Sequence, residues 1–244
     1  MTGRRFLLLC LIMLSTLILI TACTVTETIT LAKNNSGSSQ ADVSIEPFFR
    51  DVLDDFSLLA TAPGGPAAAD PLDAFMESIA AGLGGSPASS HIKMVRTQER
   101  TYTITFDFSN LQSFLDSLAG QQAQDIVTLT SGNGTTSLAF SLSMATYPDL
   151  VHILPFLGDP NLEAYGPVYN HDLSEAEYLE MIGYVFGEEG PRAIKQSRII
   201  VRLNLPAPIT SHSGGRIIAP QVYEYSFPLI DFLLLHKPLA CLIT

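Results

Sequence analysis

The histidines are the first residues to consider for catalysis or metal binding. They are His91, His152, His171, His212 and His236, and none has a partner at zinc-site spacing. The motifs HExxH, CxxC and GxSxG do not occur in the sequence. We therefore predict no catalytic residue, no metal site and no cofactor, and the sequence favours a non-enzymatic role.

A cluster of carboxylates offers a second route to chemistry. Asp51, Asp54 and Asp55 share one face of a segment with helical spacing, where they could begin a calcium site or an acid–base pair. A calcium loop, however, needs a glycine turn and a distal glutamate, and this stretch lacks that arrangement. The simpler interpretation is a solvated helix face.

Tyrosines are concentrated between residues 158 and 184. The candidate ligand-binding residues of this stretch are Tyr165, Tyr169, His171 and Tyr178. A tyrosine joins an apolar ring to a hydrogen-bonding hydroxyl, so such a cluster beside a polar loop could line a pocket or face a partner. The alternative is that Tyr178 belongs to the core and residues 170–172 form a turn.

A second candidate ligand site is apolar. Phe75, Met76 and Ile79 lie on one face of a predicted helix that carries few charges. If this face is not fully covered, it would form a groove suited to an acyl chain. If it packs on a sheet, the three side chains are part of the core.

Strand pairs must position these residues. Apolar residues alternate with more polar ones in four segments, each containing a turn, and this pattern predicts hairpins with one covered face. The segments are 24–46, 92–108, 126–144 and 199–227. The last residues, PLACLIT, are apolar on both faces and predict a central or doubly covered strand.

Four helices are predicted between the strand pairs. Pro47 opens the predicted helix over residues 47–59. The predicted helix over residues 70–82 begins with Asp70 as cap and Pro71 at the first position. Ser109 with Gln112, and Ser174 with Glu177, are typical of capping boxes, and Gly187 ends the last helix. We predict an α+β fold, an antiparallel sheet built from hairpins with helices packed on one face.

Net charge and cysteine content restrict the partners. The formal net charge is −11 and no basic run occurs, which argues against nucleic acid and against docking on anionic lipid by charge. Of the three cysteines, Cys10 and Cys23 lie at the start of the chain. If Cys10 is removed with a signal peptide and Cys23 is lipidated, Cys241 is the one thiol that remains, and no internal disulfide can form. Its apolar neighbours predict a buried, inert thiol.

The start of the chain has the order of a signal peptide. Arg4 and Arg5 precede an apolar run from Phe6 to Ile20, which is short for a membrane span. The segment Ile20-Thr21-Ala22-Cys23 resembles the lipobox of bacterial lipoproteins. The resemblance implies cleavage before Cys23, lipidation of Cys23 and anchoring in the cell membrane or outer membrane. The alternative is an uncleaved anchor with an incidental cysteine.

The rest of the chain resembles known lipoproteins in layout only. The order of YGPVYNHDLSEAEYLEMIGYVFGEEGP, a strand, a hairpin and YSFPLIDFLLL is similar to that of uncharacterised spirochaete-type lipoproteins. An anchored domain that starts with a hairpin around NNSGSS is also similar to the mycobacterial LppM type, although a second membrane segment is not evident. Neither resemblance carries over a catalytic residue.

These observations lead to one functional hypothesis and two alternatives. Residues 1–22 are predicted to be a signal peptide and residues 23–244 a single α+β ectodomain. The membrane is its first partner, through the lipid, and we expect a hydrophobic ligand or an envelope protein as the second, without nucleic acid. The alternatives are an envelope hydrolase with an unrecognised site and a purely structural component. An apolar cavity would favour the ligand hypothesis, whereas a polar pocket with perturbed carboxylates would favour the hydrolase.

Overall fold

The computed structural model describes residues 24–47, 49–50, 70–119, 125–132 and 135–244. The predicted signal peptide, Cys23 and residues 51–59 of the predicted helix over 47–59, with its three aspartates, lie outside the described residues. Within the described parts of the chain, no helix is both long enough and apolar enough to cross a membrane.

The strands form two sheets. The larger has the order β3-β4-β2-β1-β7-β10-β9, and the smaller has the order β5-β6-β11-β8. The strand bounds are β1 Thr24–Leu31, β2 Gly37–Ser44, β3 Ser89–Gln98, β4 Thr101–Phe108, β5 Val127–Gly132, β6 Thr135–Leu142, β7 Arg198–Asn204, β8 His212–Ser213, β9 Arg216–Ala219, β10 Val222–Pro228 and β11 Leu239–Ile243.

Helices connect and cover the sheets. Their bounds are α1 Pro71–Gly84, α2 Leu111–Ala119, α3 Tyr147–Ile153, α4 Pro160–Glu163, α5 Pro167–Asn170, α6 Glu175–Phe186, α7 Glu189–Gln196 and α8 Leu229–Leu234, with a 3-10 turn at Pro155–Gly158. The predicted α+β fold with mostly antiparallel pairing is confirmed. The structure differs from the prediction in having two sheets, and in a parallel pair formed by β1 and β7.

The hairpin predictions hold for the first three segments. β1 pairs with β2, β3 with β4, and β5 with β6, each antiparallel. β7 and β10 also pair, but the chain between them is not a simple turn. It adds β8 to the smaller sheet, where β8 pairs with β11, and it adds β9 to the edge of the larger one. β11 is central in the smaller sheet, as predicted, although Ala240 and Leu242 on its outer face are exposed.

Three helix termini test the capping predictions. Asp70 caps α1 by accepting a hydrogen bond from the Leu72 amide, and Ser174 and Glu177 form the predicted capping box of α6. The prediction for α2 is wrong by one residue. Asn110, not Ser109, accepts the hydrogen bond, from the Ser113 amide at 3.1 Å. Because asparagine and serine are nearly equal as caps, the sequence alone did not separate them.

The inner face of the larger sheet carries the core. Successive side chains of a strand point to opposite faces, so Val25, Glu27, Ile29 and Leu31 of β1 face inward, and the threonines face outward. One part of this face is covered by α1, which packs on Tyr102 and Ile104. A second part, around Phe106 and Phe108, is covered by α2 and by side chains of β5 and β6.

Candidate functional site

The predicted apolar groove of α1 lies against the larger sheet. Met76 is 1% exposed and packs with Leu72, Tyr102 and Ile104, and Phe75 and Ile79 are partly buried against the same cluster. Ion pairs from Arg96 to Asp70 and Asp73, at 2.9 and 3.0 Å, hold the start of this helix on β3. Ligand contact by Phe75, Met76 and Ile79 stays a prediction.

The tyrosine-rich segment divides into buried and exposed side chains. Tyr178 is fully buried and donates its hydroxyl hydrogen bond to the Tyr165 carbonyl at 2.8 Å. The Tyr165 ring packs on Phe186, with ring centroids 4.9 Å apart. Tyr169 is 67% exposed, and His171 lies 3.3 Å from its neighbour Asp172 on the surface. These four predicted ligand residues therefore do not converge on one pocket, and their role in binding stays a prediction.

A cavity lies between the two sheets and is closed on one side by α2. Its volume is about 160 Å³. An engineered protein cavity of nearly this size, about 150 Å³, binds benzene, so the space is sufficient for one aromatic ring or a short branched alkyl group. Apolar side chains from both sheets and α2 form nearly all of the wall. They are Ile29, Phe106, Phe108, Leu111, Phe114, Leu115, Val127, Leu138, Phe140, Val201 and Leu203, with Tyr223, Tyr225 and Cys241.

Glu27 is the one ionisable carboxyl among the described residues that line this cavity. It lies on β1, between Ala41 of β2 and Val201 of β7 in the strand register. Its inward direction follows from the alternation that also directs Ile29 inward. A carboxylate at an apolar position of a central strand is costly unless it is paired.

Ser39 is the partner of Glu27. Its hydroxyl, in a residue that is 3% exposed, donates a hydrogen bond to Glu27 Oε1. Burial raises the pKa of Glu27 above the ordinary value of 4.5. The bond from Ser39 lowers this pKa, and the nearby charge of Asp42 raises it further. No lysine or arginine of the described residues forms an ion pair with Glu27. The cavity therefore combines an apolar wall with one polar group that lacks a countercharge in this part of the chain.

Tyr223 and Cys241 form the wall near the smaller sheet. The Tyr223 hydroxyl donates to the Gly214 carbonyl at 2.9 Å, which holds the loop after β8 against the ring. Gly214 has a φ of +65°, and an added Cβ would lie 2.7 Å from the Ala240 carbonyl oxygen, so glycine is required there. Burial raises the pKa of the Cys241 thiol, and the predicted buried free cysteine is confirmed.

The histidine–carboxylate pairs of the structure lie elsewhere. His91 Nδ1 is 2.9 Å from Asp107 Oδ2, and both side chains are exposed. Among the described residues, no group of three histidine, cysteine or acidic side chains could hold a metal ion. Neither this pair nor His171 with Asp172 lines the cavity.

The position of Glu27 in the sequence could have marked it as a candidate site residue. In VTETITL, every second residue is apolar except Glu27. A charged residue in the apolar phase of a strand predicts either an edge position or a functional group. The aromatic wall could not be found in this way, because Phe106, Phe140 and Tyr225 come from three separate strands of two sheets, and no local pattern shows that their side chains meet.

Comparisons with known proteins give a limited result. No family model and no curated protein matches the chain. One solved structure to which the chain is similar is the folded domain of LppM from Mycobacterium tuberculosis, determined by NMR. The identity is 11%, the TM-score is 0.43, and the alignment covers 91% of this chain and 88% of that one. The structural likeness is weak, and these comparisons assign the chain to no family.

Proposed function

We propose that this protein is a lipid-anchored envelope lipoprotein that binds a hydrophobic ligand between its two sheets. The observation that carries the proposal is the cavity of about 160 Å³ with an apolar wall. Burying a ligand's apolar surface in such a space is favourable by about 25 cal/mol per Å². Drug-sized ligands occupy pockets of about 300–1,000 Å³, so the cavity accommodates one ring or one branch of a larger molecule.

The predicted anchor agrees with this role. β1 begins at Thr24, directly after Cys23, and a strand rises about 3.3 Å per residue. Glu27 and the cavity wall are therefore roughly 13 Å along the chain from the proposed lipid attachment point. Lipidation at Cys23 would hold the cavity close to the bilayer, where hydrophobic ligands are concentrated.

Mass spectrometry tests both parts of the proposal. We expect the denatured full-length product, purified from bacterial membranes, to begin at Cys23 and carry a diacylglyceryl group. Cys23→Ala should accumulate as unprocessed precursor without fatty acid, because the attachment sulfur is missing. Normal fatty-acid labelling of Cys23→Ala would contradict the anchor.

The native spectrum of the same protein tests the ligand. We expect a reproducible noncovalent adduct that is reduced at least about tenfold in Leu138→Phe, because the added ring occupies the cavity at a modest overpacking cost. The matched control is Val185→Phe, which places the same ring at an exposed position of α6. An adduct of equal intensity in Leu138→Phe and Val185→Phe would show that the ligand binds elsewhere.

A further inference from the structure

Glu27 adds one ionisable carboxyl to a cavity whose wall is otherwise mostly apolar. A buried carboxylate requires either protonation or a countercharge. Its hydrogen bond from Ser39 supplies one donor, whereas the lining residues of the described chain include no lysine or arginine. Asp42, on the opposite face of β2, adds a second negative charge. Its carboxylate accepts hydrogen bonds from the side chains of Thr103 and Gln40. When Glu27 is ionised, the potential in the cavity is therefore negative.

Two groups of aromatic rings line the same cavity as this carboxyl. On one side Phe106, Phe108 and Phe114 form a cluster, with the Phe106 and Phe114 centroids 5.0 Å apart. On the other, Phe140 and Tyr225 approach to 6.1 Å between centroids. The face of an aromatic ring attracts a cation, with a gain of about 0.5–2 kcal/mol. A carboxylate in a cavity lined by aromatic rings is suited to an organic ammonium group, and it disfavours a carboxylate or phosphate ligand.

We propose that the cavity selects a hydrophobic amine, a ligand whose apolar body carries one positively charged nitrogen that pairs with Glu27. This inference rests on the proposed function and narrows its ligand class. The ammonium group supplies the countercharge, the rings of β4, α2 and β10 contact its apolar substituents, and Ser39 keeps the Glu27 carboxylate oriented. Neutral and anionic ligands of the same shape lack the ion pair.

The inference also sets a pH dependence. The other titratable groups that line the cavity are Tyr223, Tyr225 and Cys241. Burial raises the pKa values of all three, so they are uncharged at neutral pH. Glu27, with its raised pKa, is the group that changes charge. Because a cation prefers the ionised carboxylate, amine affinity should rise as the pH rises through the pKa of Glu27 in the free protein.

Isothermal titration calorimetry of the full chain in dodecyl maltoside tests the inference, with protein-free micelles as the blank. The probes are benzylammonium, benzyl alcohol and benzoate, which share one ring and differ in charge. We expect benzylammonium to bind at least about tenfold more tightly than benzyl alcohol, and benzoate to bind most weakly. Titrations in two buffers of different ionisation enthalpy should show proton release with benzylammonium at a pH below the Glu27 pKa.

Glu27→Gln separates the possible outcomes. It keeps the shape of the side chain and one oxygen that can accept from Ser39, and we expect it to abolish the preference for benzylammonium. Glu77→Gln, at an exposed position of α1, should leave that preference unchanged. Equal or tighter binding of benzyl alcohol to the wild type would overturn the amine inference and leave the hydrophobic-ligand function standing. Failure of all three probes to bind would overturn both the amine inference and the hydrophobic-ligand function.

Discussion

Phe114→Ala should lower the free energy of unfolding by about 3–5 kcal/mol, the usual cost of replacing a buried phenylalanine by alanine. Phe114 is buried on α2, and its ring stacks on Phe108 with centroids 5.8 Å apart. The change removes the ring contacts of Phe114 with Phe106 and Phe108, which help to hold α2 on the larger sheet. It also enlarges the cavity, because the lost ring lies in its wall.

Urea unfolding followed by circular dichroism measures this loss. The control is Tyr169→Ala, which truncates an exposed ring on α5 and should change stability by less than about 0.5 kcal/mol. A ligand that binds only the folded state stabilises it. Benzene should therefore stabilise Phe114→Ala more than the wild type, because the enlarged cavity of the variant gives the ligand more space. Equal losses in Phe114→Ala and Tyr169→Ala would contradict the placement of Phe114 in the core.

Glu27→Gln should make the protein more stable at neutral pH by roughly 1–3 kcal/mol, because the neutral amide avoids the cost of burying an ionised carboxylate without a countercharge. The pKa of Glu27 is raised in the folded state, chiefly by burial. Between the ordinary value of 4.5 and this raised pKa, the folded state binds more protons than the unfolded state. Wild-type stability therefore falls as the pH rises through this window, and the loss persists above it.

Urea titrations at a series of pH values compare the variants. In Glu27→Gln, the part of the pH dependence that belongs to Glu27 should disappear, whereas Glu77→Gln should follow the wild-type curve. The combination of higher stability with lost amine preference would identify Glu27 as a group that serves binding at the expense of stability. A less stable Glu27→Gln at neutral pH would show that the carboxylate is already compensated in the folded protein.

Local patterns predicted the elements well. The threonine alternation of residues 24–31 predicted β1, and the Ser174–Glu177 capping box predicted the start of α6, because each depends on residues within one turn or strand. Long-range pairing was not predictable in this way. The parallel pair of β1 with β7 joins residues more than 170 positions apart, and the division into two sheets follows from such pairings.

The candidate site depends on the same long-range pairings. Its wall combines residues of α2 and of strands from both sheets, so no window of sequence contains it. The predicted ligand residues Phe75 and Tyr178 were each found by local composition, and the structure places both among core side chains. Glu27 alone could have been found locally, as the charged residue in the apolar phase of a strand.

A benzene titration followed by methyl NMR tests most directly the claim that the space between the sheets binds an apolar ligand. The full chain, with labelled isoleucine, leucine and valine methyl groups, is titrated in dodecyl maltoside. We predict saturable shifts at Ile29, Leu138 and Val201, which line the cavity. Leu179 and Ile182, which belong to a separate core cluster, should remain unchanged. Shifts that do not saturate, or that affect both groups equally, would contradict the account.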